Sequence, residues 1–224
     1  MHFANAFTVR GRSFALAGLM LMAVAVAPMA ASAHFLGGSW SYGGGYLLPL
    51  SYQNNTGGFP AYTNAVNSAA SNWYATPTPS DLYSVAGSAN VTLNTFSDSS
   101  ASYWGVTQIW ANHTTCFVWF CFTSNSEIPY GAHTSPTGLG SGWGNYTSSA
   151  IAFNRYQMDG LSDFMKLKVA THELGHAQGL GHAVSPSCTS IMQQGFLSIN
   201  KPQPHDYYDF DALYPGKWSY GYTC

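Results

Sequence analysis

Residues 172–182 read HELGHAQGLGH, and this stretch is the most informative part of the 224-residue chain. His172 and His176 are four residues apart, so on a helix they lie on one face with Cβ atoms about 5–6 Å apart. Two imidazoles at that spacing can bind one Zn²⁺ through their ring nitrogens. Gly179 predicts a sharp left-handed turn that returns His182 to the metal as a third ligand. Three neutral ligands leave one coordination position open, which is typical of a catalytic zinc site.

Glu173 is the predicted general base of this site. It follows the first histidine by one residue and therefore points about 100° away from it around the helix. In that position its carboxylate can sit beside a water molecule whose pKa zinc lowers toward ~7. The carboxylate can take a proton from that water and pass it to a departing amine, which is the chemistry of peptide-bond hydrolysis. An intact Glu173 favours an enzyme over a binding module that keeps the fold but acts as an inhibitor or adhesin.

The spacing HExxHxxGxxH, followed by Ser190-Ile191-Met192, resembles the extended signature of the metzincin zinc peptidases, in particular the matrixin branch. The resemblance is specific from about Asp163 to Pro215, and residues 206–215 are similar to the C-terminal helix of matrixin-like domains. It implies a zinc metalloendopeptidase with one catalytic zinc ion and a protein or peptide substrate. It also implies that Met192 is the methionine of the Met-turn, with its thioether beneath the ligand imidazoles.

The chain departs from the metzincin pattern at several points. Gln194 stands two residues after Met192, where astacins and serralysins carry a tyrosine, and Ala183 follows the third histidine, where matrixins usually carry serine. No cysteine-switch propeptide is recognisable, so latency through a propeptide thiol is not expected. No calcium or structural-zinc motif is recognisable either. Calcium, and a second ion bound by His113 and His133, are left as open alternatives.

The residues after the Met-turn bear on substrate preference. In the family that the chain resembles, this segment shapes the pocket for the residue that follows the cut. Here the segment is Gln193–Ile199, which includes Phe196 and Leu197. The resemblance therefore implies an apolar preference at that position.

The first 33 residues have the organisation of a secretory signal peptide. Arg10 and Arg12 precede an apolar stretch, Ser13–Ala27, and Ala31-Ser32-Ala33 offers a small-residue cleavage site. An apolar run of about 15 residues is too short to span a bilayer comfortably, which disfavours the alternative of an uncleaved anchor. We expect cleavage after Ala33, secretion and no stable membrane anchor.

Cleavage after Ala33 would also create the main rival metal site. An N-terminal His34 could chelate copper through its amine and imidazole, as in copper-dependent polysaccharide oxygenases. That interpretation needs a further histidine and leaves the motif of residues 172–182 unexplained. The copper or zinc content of the purified protein separates the two alternatives.

Composition excludes several classes of partner. Charged residues make up only 7% of the chain and the formal net charge is −2. Without a basic patch, neither nucleic acid nor an anionic membrane surface is an expected partner. A monomer that binds a protein or peptide substrate is expected.

The four cysteines predict two disulfides in an exported protein, with three possible pairings. We favour Cys116–Cys121, which closes a short loop, and Cys188–Cys224, which ties down the C-terminus. A cysteine-rich metal site is the alternative, but the chain has no C-x-x-C pair.

Hydrophobic patterning predicts a single α+β catalytic domain, residues 46–224, that follows a flexible leader, residues 34–45. The site helix is predicted over residues 163–179, with Asp163 as its N-cap. Residues 113–146 are predicted to be loop-like. The remaining elements are strands at 46–52, 82–86, 91–96, 105–111 and 149–154, and helices at 60–74 and 206–214. The metzincin resemblance implies that these strands form a twisted, mostly parallel sheet packed on the early helix and the site helix, with a C-terminal helix last.

Overall fold

The computed structural model describes residues 36, 38–42, 47–117, 120–128, 143–183 and 188–214. The predicted signal peptide (1–33), His34, His133 and Cys224 lie outside the described residues. The described strands are β1 (Leu48–Asn54), β2 (Ser80–Ser84), β3 (Val91–Phe96), β4 (Gly105–Phe117), β5 (Phe120–Glu127) and β6 (Trp143–Asn154). The described helices are α1 (Pro60–Tyr74), α2 (Arg155–Met158), α3 (Asp163–Ala177) and α4 (Pro204–Leu213).

The six described strands form one mixed sheet in the order β2-β1-β3-β6-β4-β5. The pairings β1–β2, β1–β3 and β3–β6 are parallel, whereas β4 is antiparallel to both β6 and β5. Strand β4 alone therefore runs against the other five described strands. The α+β class predicted from the sequence is confirmed at this level, as a mixed six-stranded sheet with helices.

Helices α1 and α3 pack against each other. Ala65, Val66 and Ala69 are buried on α1, and Trp73 at its C-terminal end is fully buried. The indole Nε1 of Trp73 donates a hydrogen bond of 2.9 Å to the carbonyl of Thr171 in α3. This hydrogen bond ties the C-terminal end of α1 to α3.

The elements predicted for residues 60–74 and 91–96 are confirmed with their boundaries. The prediction of a loop over residues 113–146 is wrong, since β4 continues to Phe117, β5 follows it, and β6 begins at Trp143. Threonine and aromatic residues are frequent along β4 and β5, and such residues favour strands. The cysteines and glycines of this stretch suggested a loop, and they concealed a long antiparallel hairpin.

The cysteines can be placed in part. Cys116 and Cys121 are direct partners in the β4–β5 register. Cys121 and Cys188 are each in a disulfide, and no described cysteine is free. The pairings Cys116–Cys121 and Cys188–Cys224 remain predictions, because the Cys116 side chain and the whole of Cys224 lie outside the described part of the chain.

The described part of the expected leader contacts the domain. The Leu36 amide donates to the Gly179 carbonyl over 3.0 Å, and Ser39 forms a parallel bridge with Asn145. Trp40 is buried, and its indole Nε1 donates to the Ala177 carbonyl over 2.8 Å. These contacts attach the segment to the C-terminal end of α3. No helix in the described ranges has the length and hydropathy to cross a membrane.

Candidate metal centre

The N-cap of helix α3 lies one residue before the predicted cap, Asp163. Ser162 is the N-cap, and its hydroxyl accepts a 3.3 Å hydrogen bond from the Met165 amide, while Asp163 lies in the first turn. The helix ends at Ala177, two residues before the predicted end. Gly179 has a φ of +106°, which is the left-handed conformation that the sequence predicts. A Cβ at Gly179 would also lie 2.7 Å from Leu213 Cδ2. The backbone conformation requires glycine here, and the turn brings His182 back toward the other two histidines.

The three predicted ligands converge. The Nε2 atom of His176 lies 3.0 Å from that of His172 and 3.1 Å from that of His182. They form the one group of three potential ligand side chains found among the described residues. Tetrahedral zinc with bonds of 2.0–2.1 Å would place its nitrogen ligands about 3.3 Å apart. The observed spacing is close to that value, so these residues can hold a metal ion.

Hydrogen bonds fix the tautomers of the two helical histidines. Nδ1 of His172 lies 2.8 Å from the Ile191 carbonyl, and Nδ1 of His176 lies 2.7 Å from the Leu180 carbonyl. Because a carbonyl can only accept, each Nδ1 must donate, and each neutral ring then presents a lone pair on Nε2. Two such lone pairs facing each other at 3.0 Å repel, and a shared cation removes that repulsion. The donor set thus fits a metal ion bound by imidazole nitrogens.

Burial favours the neutral form of the His172 ring. His172 and His176 are each 6% exposed, and His182 is half-buried. Burial, together with the neighbouring His176 and Lys168, lowers the pKa of His172 well below the usual value of 6.5. A neutral imidazole is the form that binds a metal, so the environment favours coordination.

Glu173 is held beside the histidines by the first residues of β4. The Thr107 hydroxyl donates a 2.6 Å hydrogen bond to Glu173 Oε2 and lies 3.1 Å from the Glu173 carbonyl oxygen. A Cβ at Gly105 would lie 2.8 Å from Glu173 Oε1, so only glycine leaves room for the carboxylate. Burial raises the pKa of Glu173 to about 7, against the lowering effects of the Thr107 hydrogen bond and Lys168.

Met192 lies against the site helix. Its side chain is fully buried, and a Cβ at Gly175 would collide with its Sδ atom. The turn is secured by Asp206, whose carboxylate accepts hydrogen bonds from the Ser190 hydroxyl (2.5 Å) and the Ile191 amide (2.9 Å). Burial raises the pKa of Asp206 to about 6. Since the Ile191 carbonyl accepts the His172 hydrogen bond, α4 supports a ligand through this turn.

A cleft of about 240 Å³ opens beside the histidines. One wall is the segment from Ser102 to Thr107, and the other contains Gln194 and Gly195. Glu173 and Lys168 also line it, together with His172, His176 and His182. The candidate ligands and the candidate base therefore face one shared cavity.

The structure brings together the residues that the motif predicts and adds three that sequence reasoning missed. Gly105 and Thr107 lie more than sixty positions before Glu173, and no local pattern connects them to it. Lys168 was detectable, because it precedes His172 by four residues and so shares its helix face. His113 lies in β4 opposite Ser124 and outside the histidine group.

Comparison of the sequence with protein-family models and with curated proteins finds no match in either.

Proposed function

We propose that this protein is a secreted zinc-dependent metalloendopeptidase of the metzincin type, with a matrixin-like arrangement. His172, His176 and His182 would hold the metal, and Glu173 would act as general base. The observation that carries the proposal is the convergence of three Nε2 atoms in a cleft that also contains a buried, hydrogen-bonded carboxylate. Secretion follows from the signal peptide predicted over residues 1–33.

The proposed chemistry divides between the metal and the chain. Bound zinc would supply a Lewis acid that lowers the pKa of water and polarises a peptide carbonyl. Glu173 takes a proton from the attacking water and delivers it to the amide nitrogen, as a bond forms to the carbonyl carbon and the carbon–nitrogen bond breaks. Thr107 keeps the carboxylate oriented toward the cleft throughout.

An open strand edge beside the site supports an extended peptide as the substrate. Strand β4 pairs with β6 from Gly105 onward, but its pairing with β5 starts only at Trp110. Within the described residues, Gly105–Gln108 therefore have no strand on the side away from β6. The Gly105–Thr107 part of this edge also lines the cleft. A substrate strand could add to it by main-chain hydrogen bonds, with its scissile bond over the histidines.

Replacing the base tests the proposal. Zinc-loaded protein should cleave unfolded casein, and Glu173→Gln should lower the rate by about 10²–10⁴-fold because proton transfer is lost. Glu127→Gln is the matched control, since Glu127 is the other glutamate and lies exposed on β5. Metal analysis should find zinc in all three proteins. 1,10-Phenanthroline should abolish cleavage and added Zn²⁺ should restore it.

Two results would reject this assignment. Equal cleavage by Glu173→Gln and wild type would remove the base from the mechanism, and no cleavage by zinc-loaded wild type would favour a binding module. Copper in place of zinc in the purified protein would favour the oxygenase alternative, which depends on His34.

A further inference from the structure

Lys168 is a buried cation that the proposed mechanism does not use. It lies on α3 one turn before His172 and is only 3% exposed. It lines the same cleft as the three histidines and Glu173. Its Nζ lies 3.3 Å from the carbonyl of Gln193, whose neighbour Gln194 also lines the cleft.

Among the described residues, Lys168 uses one of its three hydrogen-bond donors. An ammonium group carries three donors, and the described acceptor for Lys168 Nζ is the Gln193 carbonyl at 3.3 Å. The acidic group that acts on it is Glu173, which is already hydrogen-bonded to Thr107. Burial lowers the pKa of Lys168, because the loss of solvent around the charged form outweighs the attraction of the Glu173 carboxylate. A buried charge in this situation is costly until an anion joins it.

Lys166, two residues earlier on α3, is a second buried lysine, and its contacts are those of a residue with a structural role. It is also buried, but its Nζ donates to the carbonyls of Asp159 and Leu161 and lies 5.9 Å from the Tyr62 ring centre. Those contacts close the loop before α3, and Lys166 does not line the metal-site cleft. Lys168, by contrast, does not bind the carbonyls of that loop, and it does line the cleft.

We propose that Lys168 binds a carboxylate of the substrate, so that the protein cleaves peptide bonds flanked by aspartate or glutamate. This inference rests on the proposed function and specifies its substrate class. It replaces the apolar preference expected from Phe196 and Leu197. Phe196 is 75% exposed, its ring packs on Trp104 with ring centres 4.7 Å apart, and it does not line the cleft.

Matched peptides test the preference by cleavage. A set of quenched fluorescent peptides would carry Glu, Gln or Leu at each of the two positions that flank the scissile bond. For wild type, kcat/KM with Glu should exceed that with Gln by at least about tenfold at one of these positions, as expected for a charged hydrogen bond in a buried site. In Lys168→Met, which keeps the apolar stem and removes the charge, the ratio should fall to about one.

Lys201→Met is the control, because Lys201 is exposed and lies outside the cleft. It should keep the wild-type ratio. Zinc content and thermal midpoint show whether Lys168→Met is folded. If it is not, Lys168→Gln takes its place, because glutamine retains a donor for the Gln193 carbonyl. A Glu/Gln ratio near one in wild type overturns the inference without reference to any variant.

A binding measurement separates this inference from the proposed function. Short peptide hydroxamates attach to a zinc ion without being hydrolysed, and one with a Glu side chain can be compared with its Gln counterpart. Wild type should bind the Glu compound at least about tenfold more tightly, and Lys168→Met should bind both equally. Selective binding without cleavage of any peptide would reject the peptidase and retain the Lys168 subsite. Cleavage of peptides without a preference for Glu over Gln would retain the peptidase and reject the Lys168 subsite.

Discussion

The Glu173 carboxylate depends on two residues from a different part of the chain. Gly105 provides the space that a Cβ would take, and the Thr107 hydroxyl donates to Oε2. Residues 105 and 107 lie on the same face of β4, because side chains alternate along a strand. One strand therefore both makes room for the carboxylate and orients it.

Thr107→Val should reduce catalysis and leave the metal in place. It removes the hydroxyl donor but keeps the branched shape, so the carboxylate loses its orientation while the histidines keep their carbonyl partners. We expect kcat to fall about tenfold or more, which is the scale of one hydrogen bond to a charged group. Zinc content and KM should change little. The measurement is steady-state kinetics on a peptide substrate together with metal analysis.

Thr107→Ser is the matched control for this prediction. Serine retains the hydroxyl and should recover most of the wild-type kcat. If Thr107→Val and Thr107→Ser were equally impaired, the methyl group would matter rather than the hydrogen bond, and Thr107 would have only a packing role.

At the scale of single residues, sequence predicts what is encoded locally. The helical spacing of His172 and His176, and the positive φ of Gly179, follow from backbone geometry within eleven residues. The contact between Thr107 and Glu173 joins residues 66 positions apart. It depends on how β4 lies across α3, which no short pattern specifies.

Helix α3 is held to the core by a contact that leaves no room at Gly175. A Cβ there would collide with Met192 Sδ and lie 3.0 Å from Trp73 Cζ2. Both neighbouring side chains are fully buried, so neither has free space to move into. The helix thus lies directly on the Met192 turn and on α1.

Gly175→Ala should therefore destabilise the protein. In a solvent-exposed helix the same change stabilises by about 1 kcal/mol, whereas overpacking a core costs about 1–3 kcal/mol. We expect the free energy of unfolding, measured by urea denaturation, to fall by about 1–2 kcal/mol. Gly160→Ala is the control, because a Cβ added there would meet nothing within 4 Å. A stability gain in Gly175→Ala would contradict the tight packing described for α3.

Secondary-structure elements could be predicted from the sequence where a single hydrophobic periodicity dominates the segment. Helix α1 has apolar residues at helical spacing and begins with Pro60, and its bounds agree with the prediction. The β4–β5 hairpin was missed because cysteines and polar residues interrupt its strand-favouring threonines. Its two strands stabilise each other by cross-strand pairs such as the Thr114–Thr123 hydroxyl contact of 2.9 Å. Such pairs exist only after folding and leave little periodic signal.

The metal should stabilise the whole molecule in a pH-dependent way. Zinc that binds only the folded state raises the thermal midpoint, and protons compete with it for the histidines. Burial lowers the pKa of His172, so this ligand remains neutral below pH 6.5. We expect the difference in midpoint between zinc-loaded and EDTA-treated protein to persist at pH 7 and disappear below about pH 5.

The difference in thermal midpoint between zinc-loaded and EDTA-treated protein cancels the effect of groups that titrate in the same way in both samples. The raised pKa of Asp206, about 6, means that this group alone makes the fold less stable as pH rises through 6, whether or not zinc is bound. The lowered pKa of His172 acts in the opposite direction, because the stability it contributes is lost as pH falls. Calorimetry of both samples from about pH 8 to 4 makes the measurement. A difference that stays unchanged at the acid end of that range would exclude histidine ligands.

The contacts of the N-terminal segment with the end of α3 could link the attachment of this segment to the affinity of the proposed site for metal. Trp40 donates to the carbonyl of Ala177, the last residue of α3, and Leu36 donates to that of Gly179 in the turn that leads to His182, the third proposed ligand. If zinc binding orders that turn and so strengthens the attachment of residues 36 and 38–42, their attachment must strengthen zinc binding by the same factor. This linkage is reciprocal and needs no contact between the segment and the metal. Tension on the N-terminal segment, from a tether or a bound protein, would therefore act as a graded control on metal affinity.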